Sequence, residues 1–172
     1  MDLFEYQGKQ YFARFDIPVP SGEVANTVEA AVAAADKIGY PVVLKAQVQV
    51  GGRGKAGGIQ IANNAEEAQK HATKILGMDI KGHIVRRLWV ESASDIAEEY
   101  YVSFTLDRSA KKFLGMISAK GGVDIEQVAV EEPEALHIIR VDPAGGFSTA
   151  DARAFVEAAK LNPNAVDQTV AL

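Results

Sequence analysis

Apolar residues recur at the spacing of one helix face in several stretches of the chain, which predicts amphipathic helices. The first begins with a capping-box pair, Asp2 and Glu5, and ends before Pro18. A second lies between a Thr27 cap and Gly39. The remaining predicted helices run over 65–76, opened by an Asn64–Glu67 capping box, and over 125–130 and 150–161.

Other stretches are short apolar runs or alternate apolar with polar residues, as β-strands do. The predicted strands are 41–46, 59–61, 88–91 and 136–141, with a hairpin formed by 100–106 and 113–117. Helices and strands are thus interspersed along the chain, and the predicted class is α+β. The short polar connection at 92–95 is the predicted hinge between two lobes.

Composition excludes several classes of protein. The 172 residues contain no cysteine, which excludes a disulfide scaffold and a thiol redox enzyme. The formal net charge is −5, so no nucleic-acid partner is expected and any anionic ligand must be held by local groups. No apolar run approaches the roughly 20 residues of a membrane span, and the first residues do not resemble a signal peptide. A cytoplasmic location without membrane attachment is the expectation.

Five glycines crowd residues 51–58, between two predicted strands rather than between a strand and a helix. Glycines let several backbone N–H groups approach one anion, and Arg53 and Lys55 add positive charge. The segment lacks the Gly-Lys-Ser/Thr ending of a Walker loop and is not a dinucleotide fingerprint. It predicts a flap over phosphate groups, while a flexible hairpin tip with solvated charges is the alternative.

Lys45 lies inside an apolar strand, where an unpaired ammonium group is costly to bury. It is therefore expected to meet an anion, and it is close enough in sequence to the glycine-rich segment for one ligand to touch both. The alternative is that its alkyl stem lies on apolar surface while the ammonium group stays in water.

Glu91 and Glu99 flank the predicted hinge, where a crevice between lobes suits a flat ligand. For Glu99 the alternative is an ordinary solvated carboxylate. The three histidines are scattered along the chain, so neither a metal site nor a nucleophilic histidine is expected.

Several of these segments, in the same order, resemble the N-terminal part of the β subunit of ADP-forming succinate–CoA ligase (succinyl-CoA synthetase), an ATP-grasp protein. The matching segments are 3–9, 43–48, 51–58, 90–101, 107–109 and 121–126. The resemblance implies an ATP-grasp fold, with a nucleotide cleft between a lobe formed by 19–93 and a truncated second lobe formed by 1–18 plus 94–172.

The resemblance also implies which residues bind the nucleotide. Lys45 and the Gly52-Arg53-Gly54 segment match positions that contact the nucleotide, and Glu91, Ser94 and Glu99 match positions on its adenine and ribose side. No catalytic residue is implied on this chain, because the phosphohistidine of such enzymes lies on the α subunit.

The implied partner is therefore that α subunit, in an acid–thiol ligase that couples succinyl-CoA and succinate interconversion to ATP and ADP in the citric acid cycle. The implied cofactors are ATP or ADP, coenzyme A in the full complex, and Mg²⁺ with ligands beyond Leu172. Residues 160–163 depart from the family's Glu-x-Asn-Pro magnesium motif, and Asn162-Pro163 is interpreted as a helix stop. The chain by itself is expected to be inactive and to bind nucleotide weakly.

Two alternatives remain beside this interpretation. One is a noncatalytic nucleotide-sensing module that keeps the flap without the metal site. The other is the corresponding part of a related malate or citrate acyl-CoA ligase, since such enzymes share the N-terminal pattern.

Overall fold

The structure, a computed structural model, describes residues 2–172. They form two compact units, the first ending at Asp95 and the second comprising Ile96–Leu172. The boundary falls directly after the polar connection 92–95. Six α-helices and nine strands form within the described residues, which confirms the predicted α+β class.

The first unit contains a four-stranded antiparallel sheet in the order β1-β6-β2-β3 and a separate two-stranded hairpin, β4-β5. Its elements are α1 (Glu5–Phe12), β1 (Gly22–Ala25), α2 (Val28–Ile38), β2 (Val42–Ala46), β3 (Ile59–Ala62), α3 (Ala65–Ile75), β4 (Asp79–Ile80), β5 (His83–Ile84) and β6 (Leu88–Ser92). The predicted helices α2 and α3 and the predicted strands β2, β3 and β6 are confirmed.

One face of this sheet packs against α2 and α3. Leu44 of β2 and Val90 of β6 are fully buried there, together with Ala35 of α2 and Ala72 of α3. Small alanines on both helices let the helix backbones approach the sheet closely, and the branched strand side chains fill the space between them. This core fixes which residues of β2 and β6 are left for the opposite face.

Strand alternation places the intervening residues on that opposite face. In β2 the buried positions alternate with partly exposed Val43 and Lys45. In β6, Trp89 pairs with Lys45, and Glu91 pairs with Val43. The N-terminal helix α1 contacts this side, because the backbone N–H of Tyr6 donates to Gln47 at 3.2 Å.

The predicted start of α1 is wrong. The helix begins at Glu5, and the N–H of Phe4 is satisfied by the Gln7 side chain at 3.0 Å. Asp2 and Glu5 therefore do not form a capping box, because the Glu5 carboxylate is drawn to cations on the sheet. These contacts also group α1 with the first unit, whereas the sequence division assigned 1–18 to the second lobe.

Strand β1 was not predicted, because Pro18, Pro20 and Gly22 suggest a break in structure. Within the described part of the chain it is an edge strand that pairs with β6 alone. Prolines just before an edge strand are tolerated. A Cβ at position 22 would overlap the Trp89 ring and would lie 2.8 Å from the carbonyl oxygen of Val90, so glycine is required there.

The second unit contains a three-stranded antiparallel sheet in the order β7-β8-β9. Its elements are β7 (Tyr101–Asp107), β8 (Lys112–Ser118), α4 (Ile125–Glu131), β9 (His137–Val141), α5 (Thr149–Ala158) and α6 (Pro163–Ala171). Ile117 of β8 packs with Phe155 and Val156 of α5 in a small core. The predicted hairpin, β9 and α4 are confirmed.

The predicted break in the C-terminal helical segment is confirmed, but Asn162-Pro163 begins α6 rather than ending α5, which stops at Ala158. Asn162 is the N-cap of α6, and its side-chain oxygen accepts the N–H of Asn164 at 3.1 Å. Pro163 occupies the first turn, where its missing N–H has no intrahelical partner to lose.

Candidate phosphate-binding site

The register of β2 and β6 brings Lys45 beside Glu91. Lys45 Nζ lies 2.5 Å from Glu91 Oε1, and the Lys45 side chain is only 19% exposed. The expectation that this lysine meets an anion is confirmed, and the alternative of a solvated ammonium group is wrong. The anion in the structure is a carboxylate of the chain itself.

The glycine-rich segment links β2 to β3 and folds back on the end of β2 as a compact turn. Ala56 N–H donates to Gly52 at 3.1 Å, Gly58 N–H donates to Arg53 at 2.8 Å, and Ala46 N–H donates to Gly58 at 2.7 Å. The Arg53 guanidinium in turn donates to the carbonyl of Ala46 at 2.9 Å. These bonds hold Arg53 against the strand that carries Lys45.

Gly58 closes the base of this turn, and its replacement by alanine is expected to lower the free energy of unfolding by about 1–3 kcal/mol. An added Cβ would lie 2.9 Å from Ile80 Cδ1 and 3.1 Å from Ala46 Cβ. Urea unfolding followed by the fluorescence of Trp89 measures the change. Gly51→Ala is the matched control, because nothing lies within 4 Å of a Cβ there, and equal losses for the two variants would contradict the packing argument.

Glu5 of α1 connects Lys45 to Arg53. Its Oε1 lies 3.1 Å from Lys45 Nζ, and its Oε2 lies 2.8 Å from Arg53 Nη1. Lys9, one helical turn further along α1, also contacts Glu5 at 3.1 Å and pairs with Glu91. Glu5, Lys9, Lys45, Arg53 and Glu91 form one network, here called the ion cluster.

Sequence reasoning missed Glu5 and Lys9 as members of the site. The spacing of Asp2 and Glu5 indicates a local capping box, and no sequence pattern indicates a role for Lys9. The spacing of four residues between Glu5 and Lys9, acid before base, is the signal of a helix ion pair, but no local pattern indicates that the pair faces Lys45.

Glu91 is the more enclosed of the two carboxylates, with its side chain 4% exposed against 19% for Glu5. Its Oε2 accepts the indole N–H of Trp89 at 2.6 Å and also pairs with Lys9. Both oxygens are therefore engaged by donors of the chain.

Both carboxylates of the ion cluster are ionised at neutral pH. Burial disfavours the ionised Glu5 carboxylate, but Lys45 and Arg53 outweigh burial and lower its pKa to about 2. The pKa of Glu91 is likewise lowered: burial opposes ionisation, and hydrogen bonds from Lys45, Lys9 and Trp89 outweigh it. Three cations against two carboxylates leave one net positive charge.

Further groups with the chemistry to bind an anion lie around the turn. Within residues 2–172, no acceptor receives the backbone N–H groups of residues 51–55. Gly52 has a φ of +83°, which favours glycine. Lys81, in the β4–β5 turn, brings its Nζ to 3.4 Å from where a Gly52 Cβ would lie. Sequence reasoning missed Lys81, because β4 and β5 were not predicted.

The other predicted residues are not part of the ion cluster. Gly54 lies in the turn and is exposed, and Ser94 is exposed in the connection after β6. Glu99 belongs to the second unit, where its carbonyl accepts the N–H of Gly121 at 2.9 Å. With Lys120 and other residues it lines a cavity of about 460 Å³.

The groups gathered around the turn are cationic side chains and backbone N–H groups, which suit an anionic ligand. The described residues bring together no group of three histidine, aspartate or glutamate side chains that is suited to a metal. None of the helices formed by residues 2–172 has the length and apolar character that crossing a lipid bilayer requires.

Comparison with known proteins gives a family match and several similar structures. The model of a family described as the ATP-grasp domain matches residues 2–172. The chain is similar to dinucleotide forming acetyl-coenzyme A synthetase 1 of Ca. Korarchaeum cryptofilum, solved with coenzyme A and Ca-AMPCP, with a TM-score of 0.76 and 23% identity. That match covers 98% of this chain and 76% of the synthetase chain.

Two further structures are similar. The PH1788 protein of Pyrococcus horikoshii Ot3 has a TM-score of 0.77 and 25% identity, covering 98% of this chain and 73% of that one. ATP citrate lyase from Methanothrix soehngenii, solved with citrate and coenzyme A, has a TM-score of 0.65 and 21% identity, covering 88% and 37% respectively. The synthetase and the lyase share the fold with this chain.

Proposed function

Because this chain belongs to the ATP-grasp domain family, we propose that its first unit binds the polyphosphate of ATP with Lys45 and Arg53. The observation that carries the proposal is their convergence on one carboxylate, at 3.1 and 2.8 Å from Glu5. An anionic group placed between them is within reach of both cations. Phosphate oxygens make strong charge-assisted hydrogen bonds with such groups.

The turn supplies the remaining contacts in this proposal. The N–H groups of residues 51–55 lie in the same segment as Arg53, and successive backbone donors of this kind suit phosphate oxygens. Gly52 and Gly54 are needed there because side chains would obstruct the approach of a ligand to the backbone. Lys81, beside Gly52, adds a further cation at the edge of the site.

The three remaining predicted residues take different roles. Glu91 has both oxygens occupied and orients Lys45 and Lys9, so it is a positioning residue. Ser94 and Glu99 are proposed to contact the adenine and ribose side, as the family resemblance implies. Their exposed side chains leave them accessible to a nucleoside.

A finer form of the proposal concerns the complete enzyme. In this form the chain is the nucleotide-binding part of the β subunit of an ADP-forming succinate–CoA ligase, which acts with an α subunit, coenzyme A and Mg²⁺. The sequence motifs support this form, and the similar structures named for acetyl-coenzyme A synthesis and citrate cleavage support an acyl-CoA ligase in general. Assays of ADP release by the complete natural protein, with succinate, malate and citrate in turn, test it.

Calorimetric titration of the chain with Mg·ATP tests the central proposal. Lys45→Ala is expected to weaken ATP binding at least about tenfold, because it removes one charge-assisted hydrogen bond to phosphate. Lys37→Ala is the matched control, since Lys37 also pairs with a glutamate, Glu23, but is 73% exposed. Trp89 fluorescence verifies folding of each variant. Equal affinity of Lys45→Ala and wild type would refute the role of Lys45.

A further inference from the structure

The Glu5 carboxylate already occupies the position between the two proposed phosphate ligands. Lys9 and Lys45 each lie 3.1 Å from its Oε1, and Arg53 lies 2.8 Å from its Oε2. A phosphate group cannot contact both Lys45 and Arg53 from the same side while this carboxylate remains between them. Binding therefore requires an exchange of one anion for another.

We propose that Glu5 is a displaceable internal anion that sets the affinity and charge selectivity of the polyphosphate site. In this proposal the Glu5 carboxylate separates from Lys45 and Arg53 when a polyphosphate binds. It pairs with the two cations again when the polyphosphate dissociates. The inference rests on the proposed function, since it concerns the same two cations.

Glu5 is better suited to displacement than Glu91. Glu91 lies on β6, which is hydrogen-bonded on both sides to β1 and β2, so its backbone has no freedom to withdraw. Glu5 lies on α1, none of whose residues is buried. Besides Glu5 and Lys9, Tyr6 attaches α1 to the first unit, through hydrogen bonds with Gln47 and Arg87 and by stacking on the Trp89 ring. An element with few buried contacts moves at low free-energy cost.

The exchange selects ligands by charge. Glu5 is tethered to the same chain, so its effective concentration at the cations is high. A free monoanion offers no more charge than Glu5 and competes poorly. A triphosphate carries several charges and can also accept hydrogen bonds from the N–H groups of residues 51–55, so it can replace the carboxylate.

Neutralising Glu5 tests the proposal. Calorimetric titration with inorganic tripolyphosphate and with inorganic phosphate is performed on wild type, Glu5→Gln and Glu66→Gln. The control matches in charge and in helix position, because Glu66 lies in the first turn of α3 as Glu5 lies in the first turn of α1, but Glu66 is exposed to solvent. Glu5→Gln is expected to bind tripolyphosphate at least about fivefold more tightly than wild type, because a repelling charge is removed from the site.

The affinity for inorganic phosphate is expected to rise by a larger factor than the affinity for tripolyphosphate, because the less highly charged ligand competes less well with the Glu5 carboxylate in wild type. Glu66→Gln is expected to match wild type with both probes. A purely structural role for Glu5 would predict weaker binding in Glu5→Gln, since the cations would lose their support. Glu5→Asp, which keeps the charge but shortens the side chain, is the second variant, and is expected to give intermediate affinity.

The outcomes separate the two proposals. Unchanged or weaker tripolyphosphate binding by both Glu5 variants, with wild type binding ATP, overturns the displacement proposal and leaves the proposed function standing. Absence of ATP and tripolyphosphate binding in wild type and every variant overturns both. Tighter binding by Glu5→Gln than by wild type, with Glu66→Gln unchanged, supports the displacement.

Discussion

Replacement of Glu91 by alanine is expected to lower the free energy of unfolding of the first unit by about 3–5 kcal/mol. The residue is 3% exposed, and its carboxylate interacts with Lys9, Lys45 and the indole N–H of Trp89. Without it, the Lys9 and Lys45 ammonium groups keep only Glu5 as an anionic partner among residues 2–172, and the indole N–H loses its acceptor. Removing one partner of a buried pair is costly because the remaining charges stay desolvated.

Urea unfolding followed by the fluorescence of Trp89, the single tryptophan of the chain, measures this loss. Circular dichroism over the same transition separates unfolding from a local change around the indole. Glu23→Ala is the control, because the Glu23–Lys37 pair is exposed and exposed pairs contribute about 1 kcal/mol or less. Similar losses for Glu91→Ala and Glu23→Ala would show that the ion cluster does not stabilise the fold.

Acid is expected to remove about 3 kcal/mol of stability through Glu5. Its pKa is about 2 in the folded chain against an ordinary value of 4.5, so the folded state binds the proton less readily than the unfolded state. The contribution is therefore fully present above pH 4.5 and is lost as the pH falls toward 2. Each unit of difference between the two pKa values corresponds to about 1.4 kcal/mol.

The free energy of unfolding of wild type and Glu5→Gln, measured between pH 6 and pH 3, isolates this contribution. The difference between the two proteins is expected to shrink by about 2 kcal/mol over that range, because glutamine does not titrate there. Glu66→Gln is expected to run parallel to wild type. A constant difference between wild type and Glu5→Gln across the pH range would show that the cations do not depress the pKa of Glu5.

The calorimetric prediction and the stability prediction together assign two opposite effects to the Glu5 carboxylate. The carboxylate stabilises the fold by neutralising Lys45 and Arg53, and in the displacement proposal the same neutralisation weakens polyphosphate binding. A variant that gains affinity would then lose stability, which is a common relation at binding sites.

Local patterns were informative where a residue's environment depends on its near neighbours. The apolar run around Lys45 predicted a buried strand, and the cost of burying its charge predicted an anionic partner. Both predictions are confirmed. Thr27 and Asn64 cap α2 and α3 as expected, accepting the N–H groups of Ala30 and Glu67, because a cap depends on residues within a single turn.

Predictions failed where distant segments compete for a side chain. Glu5 fits a capping box by spacing, but Lys45 and Arg53, 40 or more positions away in the sequence, offer it stronger interactions. The role of Asn162-Pro163 was also open at the level of sequence, because the pair is compatible with the end of one helix and with the start of another.

The sequence by itself determined the α+β class, the main helices and strands, and the need of Lys45 for an anion, because propensity, capping and the cost of a buried charge act over a few residues. Only the tertiary structure decided which anion that is. The register of β2 against β6 selects Glu91, and the docking of α1 on the open face of the sheet supplies Glu5. The strand register and the position of α1 both depend on how segments distant in sequence pack together to bury apolar surface. No local sequence pattern specifies that packing.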